Sequence, residues 1–223
     1  MLLYSVSNMT DNFSQALYDL FAQSEPIHYR KGRIVHRPDD THKGVYFVEK
    51  GNIKAYSISA AGSEHLHIIY KPGEMFPLRW IFSNIQGETF YETMTPVILR
   101  KLTKEKFLEG INAQPTLARE LIQKIIDFFD TYIARVDNLQ HTTTHRRLIA
   151  MLLFLAKRFG NEEGEKIVFT ITLTHQDMAN LINMARETVS RELELLKEKN
   201  IVSTNDHYIV IHNIDKLKRE FHR

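Results

Sequence analysis

The sequence predicts an α+β fold: an antiparallel, double-stranded β-roll of the jelly-roll kind, one long helix, and a compact helical unit closed by a two-stranded wing. Three observations predict it. Between residues 25 and 107, short β-type runs are separated by Gly, Pro, Asn and Asp at intervals of about ten residues, the rhythm of a small all-β unit. Residues 114–139 then carry an apolar helical pattern of about seven turns. Finally, "LTHQDMANLINMARETVSRELELLKEKNIV" holds two short amphipathic helical patterns, broken once and followed by a strand-like apolar run. The expected organisation is 1–113 for the N-terminal helix and β-roll, 114–139 for the long helix and 140–223 for the helical unit with its wing.

Bulk properties exclude several classes. The 223 residues suit one large domain or two small ones, and 43% hydrophobic with 25% charged residues is ordinary for a chain with a real core. The absence of cysteine removes disulfides, thiolate catalysis, zinc fingers and Cys-ligated iron–sulfur clusters together. No stretch approaches the roughly 20 apolar residues that cross a bilayer. The start, "MLLYSVSNMTDNFSQ", lacks the basic region of a signal peptide. The expectation is a soluble, cytoplasmic protein with no membrane contact. A net charge of +2 does not by itself indicate nucleic acid, so any such argument rests on local placement.

Taken in order, "TDNFSQALYDLFAQS" places Phe13, Leu17, Leu20 and Phe21 on one helical face behind a Thr/Asp start. The β-type runs follow, with Gly32, Gly51, Gly62 and Gly73 where tight turns favour positive φ. In the long helix, Leu117, Leu121, Ile125, Phe129, Tyr132, Val136 and Leu139 form a seam that could zip two copies into a short coiled coil. Ile122, Ile126 and Ile133 widen this surface, and that edge is expected to pack on the β-roll. "QHTTTHRR" reads as a hinge, reaching back to about Asp137. "RRLIAMLLFLAKRFG" reads as a helix ended by Gly160, "NEEGE" as an acidic loop and "KIVFTITL" as a strand.

Within "LTHQDMANLINMARETVSRELELLKEKNIV", Thr174 is a plausible N-cap with Asp177 three residues on, a near capping box. Met178, Leu181 and Ile182 supply the inner face of a first helix, and Ala179 is small enough for close crossing. "NMA", 183–185, is the break. Val189, Leu193 and Leu196 then form the inward stripe of a second helix. Arg186, Glu187, Ser190 and Arg191 are thereby placed on its solvent side. That is the layout of a helix-turn-helix, whose second helix enters the major groove by its N-terminal turns. Arginine can donate two bonds to guanine and glutamate can accept from cytosine. Thr188 and Ser190, with Thr174 and His175 at the start of the first helix, suit phosphates. "NIVSTNDHYIVIHN" reads as two strands around an Asn-Asp turn, the wing of a winged helix-turn-helix.

These residues carry a resemblance to the Crp/Fnr family of transcription regulators over nearly the whole chain. "KGRIVHRPDDTHKGVYFVEKGNIKAYSI…KPGE" resembles the family's glycine-punctuated cyclic-nucleotide-binding β-roll, the long helix its dimer helix, and "RETVSR" its recognition-helix core. The resemblance implies that Arg186, Glu187 and Arg191 match the base-reading positions of the cyclic-AMP branch. It places Glu187, Ser190 and Arg191 at those of the Fnr branch. It implies a homodimer on a pseudo-palindromic operator with TGTGA- or TTGA-like half-sites, and RNA polymerase as a partner. One departure is Ala185, where the family often has a capping serine; the cap is expected to be weaker by about 0.5–2 kcal/mol.

The effector region departs further. The candidate pocket residues are Gly73, Glu74, Met75, Phe76, Arg79, Trp80 and Tyr91, with Leu78, Phe82 and Phe90 adding to an aromatic segment. Cyclic-nucleotide responders carry an Arg-Ser/Thr pair that grips the cyclic phosphate; here the corresponding position falls near Gly87-Glu88. A carboxylate there repels a phosphate, and Pro77 removes a backbone donor. Cyclic nucleotide is therefore not expected, no cofactor or metal is predicted, and an unknown small-molecule effector stays open. His65 and His67 share a strand face, but two lone histidines are weak grounds for a metal or haem. A different reading keeps the β-roll as a small-molecule receptor whose helical C-terminal region binds a protein partner. No P-loop, HExxH, GxSxG or GxGxxG pattern is present, so an enzyme is not expected.

Overall fold

The computed structural model describes residues 15–139, 143–205 and 208–222, and the chain divides into two compact units, Met1–Asp127 and Phe128–Arg223. Phe13, residues 140–142 of the expected hinge and Asp206 of the expected wing turn lie outside the described residues.

The first unit opens with α1 (Gln15–Ala22), followed by β1 (Ile27–Tyr29), β2 (Ile34–His36), β3 (Val45–Lys50), β4 (Ile53–Ile58), β5 (Glu64–Tyr70) and β6 (Met75–Phe76). Helix α2 (Leu78–Ser83) leads to β7 (Phe90–Thr93), β8 (Val97–Leu102) and α3 (Lys104–Ala113). The strands form two four-stranded antiparallel sheets, ordered β1-β8-β3-β6 and β2-β7-β4-β5, as expected of a β-roll. Gly32, Gly51, Gly62 and Gly73 all have positive φ. At Gly51, φ is +83° and an added Cβ would lie 2.3 Å from the Pro96 carbonyl oxygen, so glycine is required there on two counts.

The core of this unit unites Leu17 and Phe21 of α1 with Val45, Phe47, Met75, Ile81, Leu102, Phe107 and Ile111. Phe21 stacks on Phe47 with centroids 5.2 Å apart. Helix α3 was not anticipated from the sequence. Its Gly110 lowers helix propensity, yet a Cβ at that position would meet Leu20 Cδ1 at 2.4 Å, so the glycine admits α1 at close range. Thr103 caps α3 by accepting from the Lys106 N–H.

Helix α4 (Pro115–Leu139) matches the expected long helix, but its apolar seam divides differently. Leu117 and Leu121 are only 1% and 3% exposed and belong to the β-roll core, so they do not head a dimer seam. Ile122, Ile126 and Ile133, expected to pack on the β-roll, are exposed instead. Ile125, Phe129, Tyr132 and Val136 are exposed with them. The helix is anchored by the first turns of its stripe and leaves a broad apolar face farther along.

The second unit contains α5 (Thr144–Phe159), β9 (Gly160–Glu163), β10 (Lys166–Thr172), α6 (His175–Ile182), α7 (Arg186–Glu198), β11 (Val202–Asn205), β12 (Tyr208–Ile211) and α8 (Ile214–Phe221). Part of the expected acidic loop is strand β9, hairpinned to β10. Gly160 ends α5 as expected, but with φ −83° rather than a left-handed cap. A Cβ there would strike the Ala156 carbonyl oxygen and Ile167 Cγ2, which explains the glycine. The wing strands join the same sheet, in the order β11-β12-β10-β9. Helix α8, too short to stand out in the sequence, is capped by Asn213 and packs on α5 with Leu217 fully buried.

Candidate nucleic-acid interface

The helix-turn-helix is built by local chemistry. Thr174 Oγ1 accepts from the Asp177 N–H at 3.0 Å, and the Asp177 carboxylate accepts from the Thr174 N–H at 2.9 Å, completing a capping box at the start of α6. Asn183 takes the left-handed conformation, φ 51°, and ends the helix. Three residues later, at Arg186, α7 begins without a side-chain cap, because Ala185 has none to offer. Met178, Ala179, Leu181 and Ile182 of α6 and Val189, Leu193 and Leu196 of α7 are buried. Burying each large apolar side chain contributes about 1.5–3 kcal/mol, which fixes the rotation of α7 about its axis.

That rotation decides which residues face solvent. Arg186, Glu187 and Arg191 are exposed, the Arg191 side chain to 68%. Thr188 and Ser190 are half-buried. Ser190, expected on the solvent side, is instead tied to the start of α6: its Oγ lies 3.0 Å from His175 Nδ1. The Thr174 hydroxyl is likewise engaged in the capping box. These side chains set how α6 and α7 cross, while the two arginines and Glu187 present charge outward. In the wing, Asn205 pairs with Tyr208 at the tip of the described strands, with Tyr208 exposed.

Sequence reasoning missed Glu192. It flanks the inward stripe and is buried, against the ordinary preference of a carboxylate. Its position beside Leu196 and Val189 on the helical wheel was the available signal.

The expected effector residues separate into different roles. Met75 is part of the hydrophobic core, and Phe76 is fully buried between stacked Tyr46 and Tyr91, with centroids 5.3 and 4.6 Å away. Glu74 Oε2 accepts from the Lys71 N–H at 2.9 Å, holding the turn that contains Gly73. Arg79 is exposed on α2. Trp80 and Tyr91 meet a pair the sequence reading overlooked: His36 and His42, 6% and 8% exposed, stack with centroids 4.0 Å apart. Trp80 lies 5.1 Å from His42 and Tyr91 lies 6.1 Å from His36. Burial, and then the neighbouring His36, push His42 down to about 4; burial likewise lowers His36. "VHRPDDTH" brings them together by turning through Pro38 and Asp39. Glu88, at the position where a phosphate grip is expected, is exposed in the segment between α2 and β7. Among the described residues, no group of three or more His, Cys, Asp or Glu is placed to hold a metal ion.

With this geometry in view, the comparisons with known proteins are specific. Residues 26–114 match the cyclic nucleotide-binding domain and residues 146–220 the Crp-like helix-turn-helix domain. The chain is 26% identical to the global nitrogen regulator of Nostoc sp. over 195 residues, covering 86% of this chain and 87% of that one. It is 24% identical to the fumarate and nitrate reduction regulatory protein of Yersinia pestis, covering 90% and 79%. Its fold is similar to that of a CooA mutant from Carboxydothermus hydrogenoformans, with a TM-score of 0.79, 18% identity and coverage of 97% and 98%. The chain belongs to the Crp/Fnr family of transcription regulators. It carries that family's DNA-binding domain, and its relatives are regulators, not enzymes.

Proposed function

We propose that this regulator acts as a homodimer that reads a pseudo-palindromic operator, and that cyclic AMP is not its signal. The observation that carries the reading is the outward set of Arg186, Glu187 and Arg191 on the first turns of α7, fixed by the buried stripe behind them. Arg191 and Arg186 suit guanine edges and Glu187 suits cytosine N4. The exposed face Ile122, Ile125, Ile126, Phe129, Tyr132, Ile133 and Val136 supports pairing of two α4 helices, since an apolar face of this length is costly to leave in water. A two-fold dimer presents its recognition helices about 34–36 Å apart, one turn of DNA.

The carboxylate of Glu88 at the expected phosphate position argues against a cyclic nucleotide. The aromatic surroundings of His36 and His42 favour a small-molecule effector of another kind, coupled to DNA affinity by binding one conformation better than another. RNA polymerase is the partner expected from the family resemblance, and a regulator of DNA works in the cytoplasm of a bacterium. No described helix is long and apolar enough to cross a membrane.

Random-site selection with the purified protein tests the reading: it should enrich dyad-symmetric DNA with TGTGA- or TTGA-like half-sites. Binding should fall steeply with salt as phosphate contacts release counterions. Recovery of sequences without dyad symmetry refutes the proposed mode of binding.

A further inference from the structure

We propose that Glu192 is a positioning residue for base reading, the buried centre of a chain of polar contacts running from Arg191 through His145 and Glu220 to Lys199. The proposal rests on the reading of α7 as the helix that enters DNA. Glu192 Oε1 lies 3.5 Å from an Arg191 guanidinium nitrogen and accepts from Thr144 Oγ1 at 3.4 Å. Glu192 Oε2 lies 2.9 Å from His145 Nδ1. On the other side of the imidazole, His145 Nε2 is 3.6 Å from Glu220 Oε2 on α8, and that same oxygen accepts from Lys199 Nζ at 2.6 Å. Lys199 is the C-terminal cap of α7. The chain of contacts therefore leaves α7 in its second turn, passes through the first turn of α5 and through α8, and returns to the end of the same helix.

Glu192 and Glu220 are each 7% exposed. Two carboxylates at that depth carry a desolvation cost that an apolar pair of similar volume avoids, so the cluster is poorly explained as a source of stability. It does supply geometry. The carboxylate contacts the base-reading arginine at one oxygen and is held at the other by the imidazole. A guanidinium restrained in this way surrenders less rotamer freedom when it meets a base edge. Because Thr144 and His145 form the start of α5, the same carboxylate also ties that turn to the reading surface.

The test uses the full-length protein and the operator recovered by selection, with every single-base-pair variant of one half-site. Arg191→Ala first identifies the base pair that Arg191 reads. Glu192→Gln keeps the shape and much of the hydrogen bonding but removes the charge. It should lower discrimination at that base pair by roughly five- to tenfold. It should leave discrimination at the other positions and the salt dependence unchanged, and add nothing in the Arg191→Ala background. His145→Leu should reproduce the loss, and His145→Gln, which can still donate to Glu192, should restore most of it; this pair carries the test if Glu192→Gln unfolds. An equal loss at every base pair, undiminished discrimination, or effects additive with Arg191→Ala would overturn the proposal. If the unsubstituted protein selects no DNA, the reading of α7 fails and this proposal fails with it, an outcome distinct from the others because it precedes any substitution.

Discussion

His175 and Ser190 meet across the helix-turn-helix, Nδ1 to Oγ at 3.0 Å, joining the first residue of α6 to the second turn of α7. The contact lies where phosphate-binding side chains were expected, yet it is spent within the protein. Ser190→Ala should therefore act on the fold: a loss of about 0.5–1.5 kcal/mol, read as a lower denaturant midpoint of the unit that contains α6 and α7. Unchanged stability with weakened DNA binding would instead make the hydroxyl a DNA contact.

Arg191→Ala should cost about 1–3 kcal/mol of specific binding and relax the requirement at one base pair per half-site. Its side chain is 68% exposed, so the melting temperature should hardly move. Competition binding with single-base-pair variants measures the first effect and thermal unfolding the second.

Position along α4 separates two kinds of apolar contact. Leu117→Ala should destabilise the β-roll unit by about 2–5 kcal/mol, because it opens a cavity in a closed core. Phe129→Glu places a charge on a residue that is 64% exposed and should leave folding intact while abolishing self-association. Sedimentation velocity distinguishes them; a Phe129→Glu variant that still sediments as a dimer removes this face as the dimer contact.

The stacked histidines give the β-roll unit a pH dependence of fixed sign. The folded value for His42, about 4, lies below the ordinary imidazole value near 6.5, so on acidification the unfolded chain takes up the proton first. The stabilising contribution is complete above about pH 6.5 and is lost progressively as pH falls through about 4. Denaturant titrations over that window should show the decline, and His42→Phe, which keeps an aromatic ring beside His36 and Trp80, should flatten it.

Much of the architecture was legible because it follows from periodicity and turn chemistry. Val189, Leu193 and Leu196 face inward at helical spacing, Thr174 and Asp177 form the expected box, and the glycines mark turns of positive φ. What escaped depended on tertiary partners. Leu117 and Ile122 are equally apolar, and only the presence of the β-roll beside one edge of α4 decides which is buried. Gly110 weakens a helix on local grounds, and its use is visible only once Leu20 is seen to approach it closely. Glu192 and His145 lie 47 residues apart, and no local pattern announces that their side chains meet. His36 and His42 are neighbours through a turn, and their stacking becomes evident only once Trp80 and Tyr91 close around them.

The placement of Leu117 and Leu121 bears on where the chain can be cut. Truncation at residue 113, where the β-type pattern and the short helix after it have ended, would strip two plugs from the interior and expose Phe107 and its neighbours to water. An excised β-roll fragment must carry the long helix through at least residue 121 to keep its own seal. The helix is thus a lid for the module before it, and only beyond that point is it free to serve as a spacer.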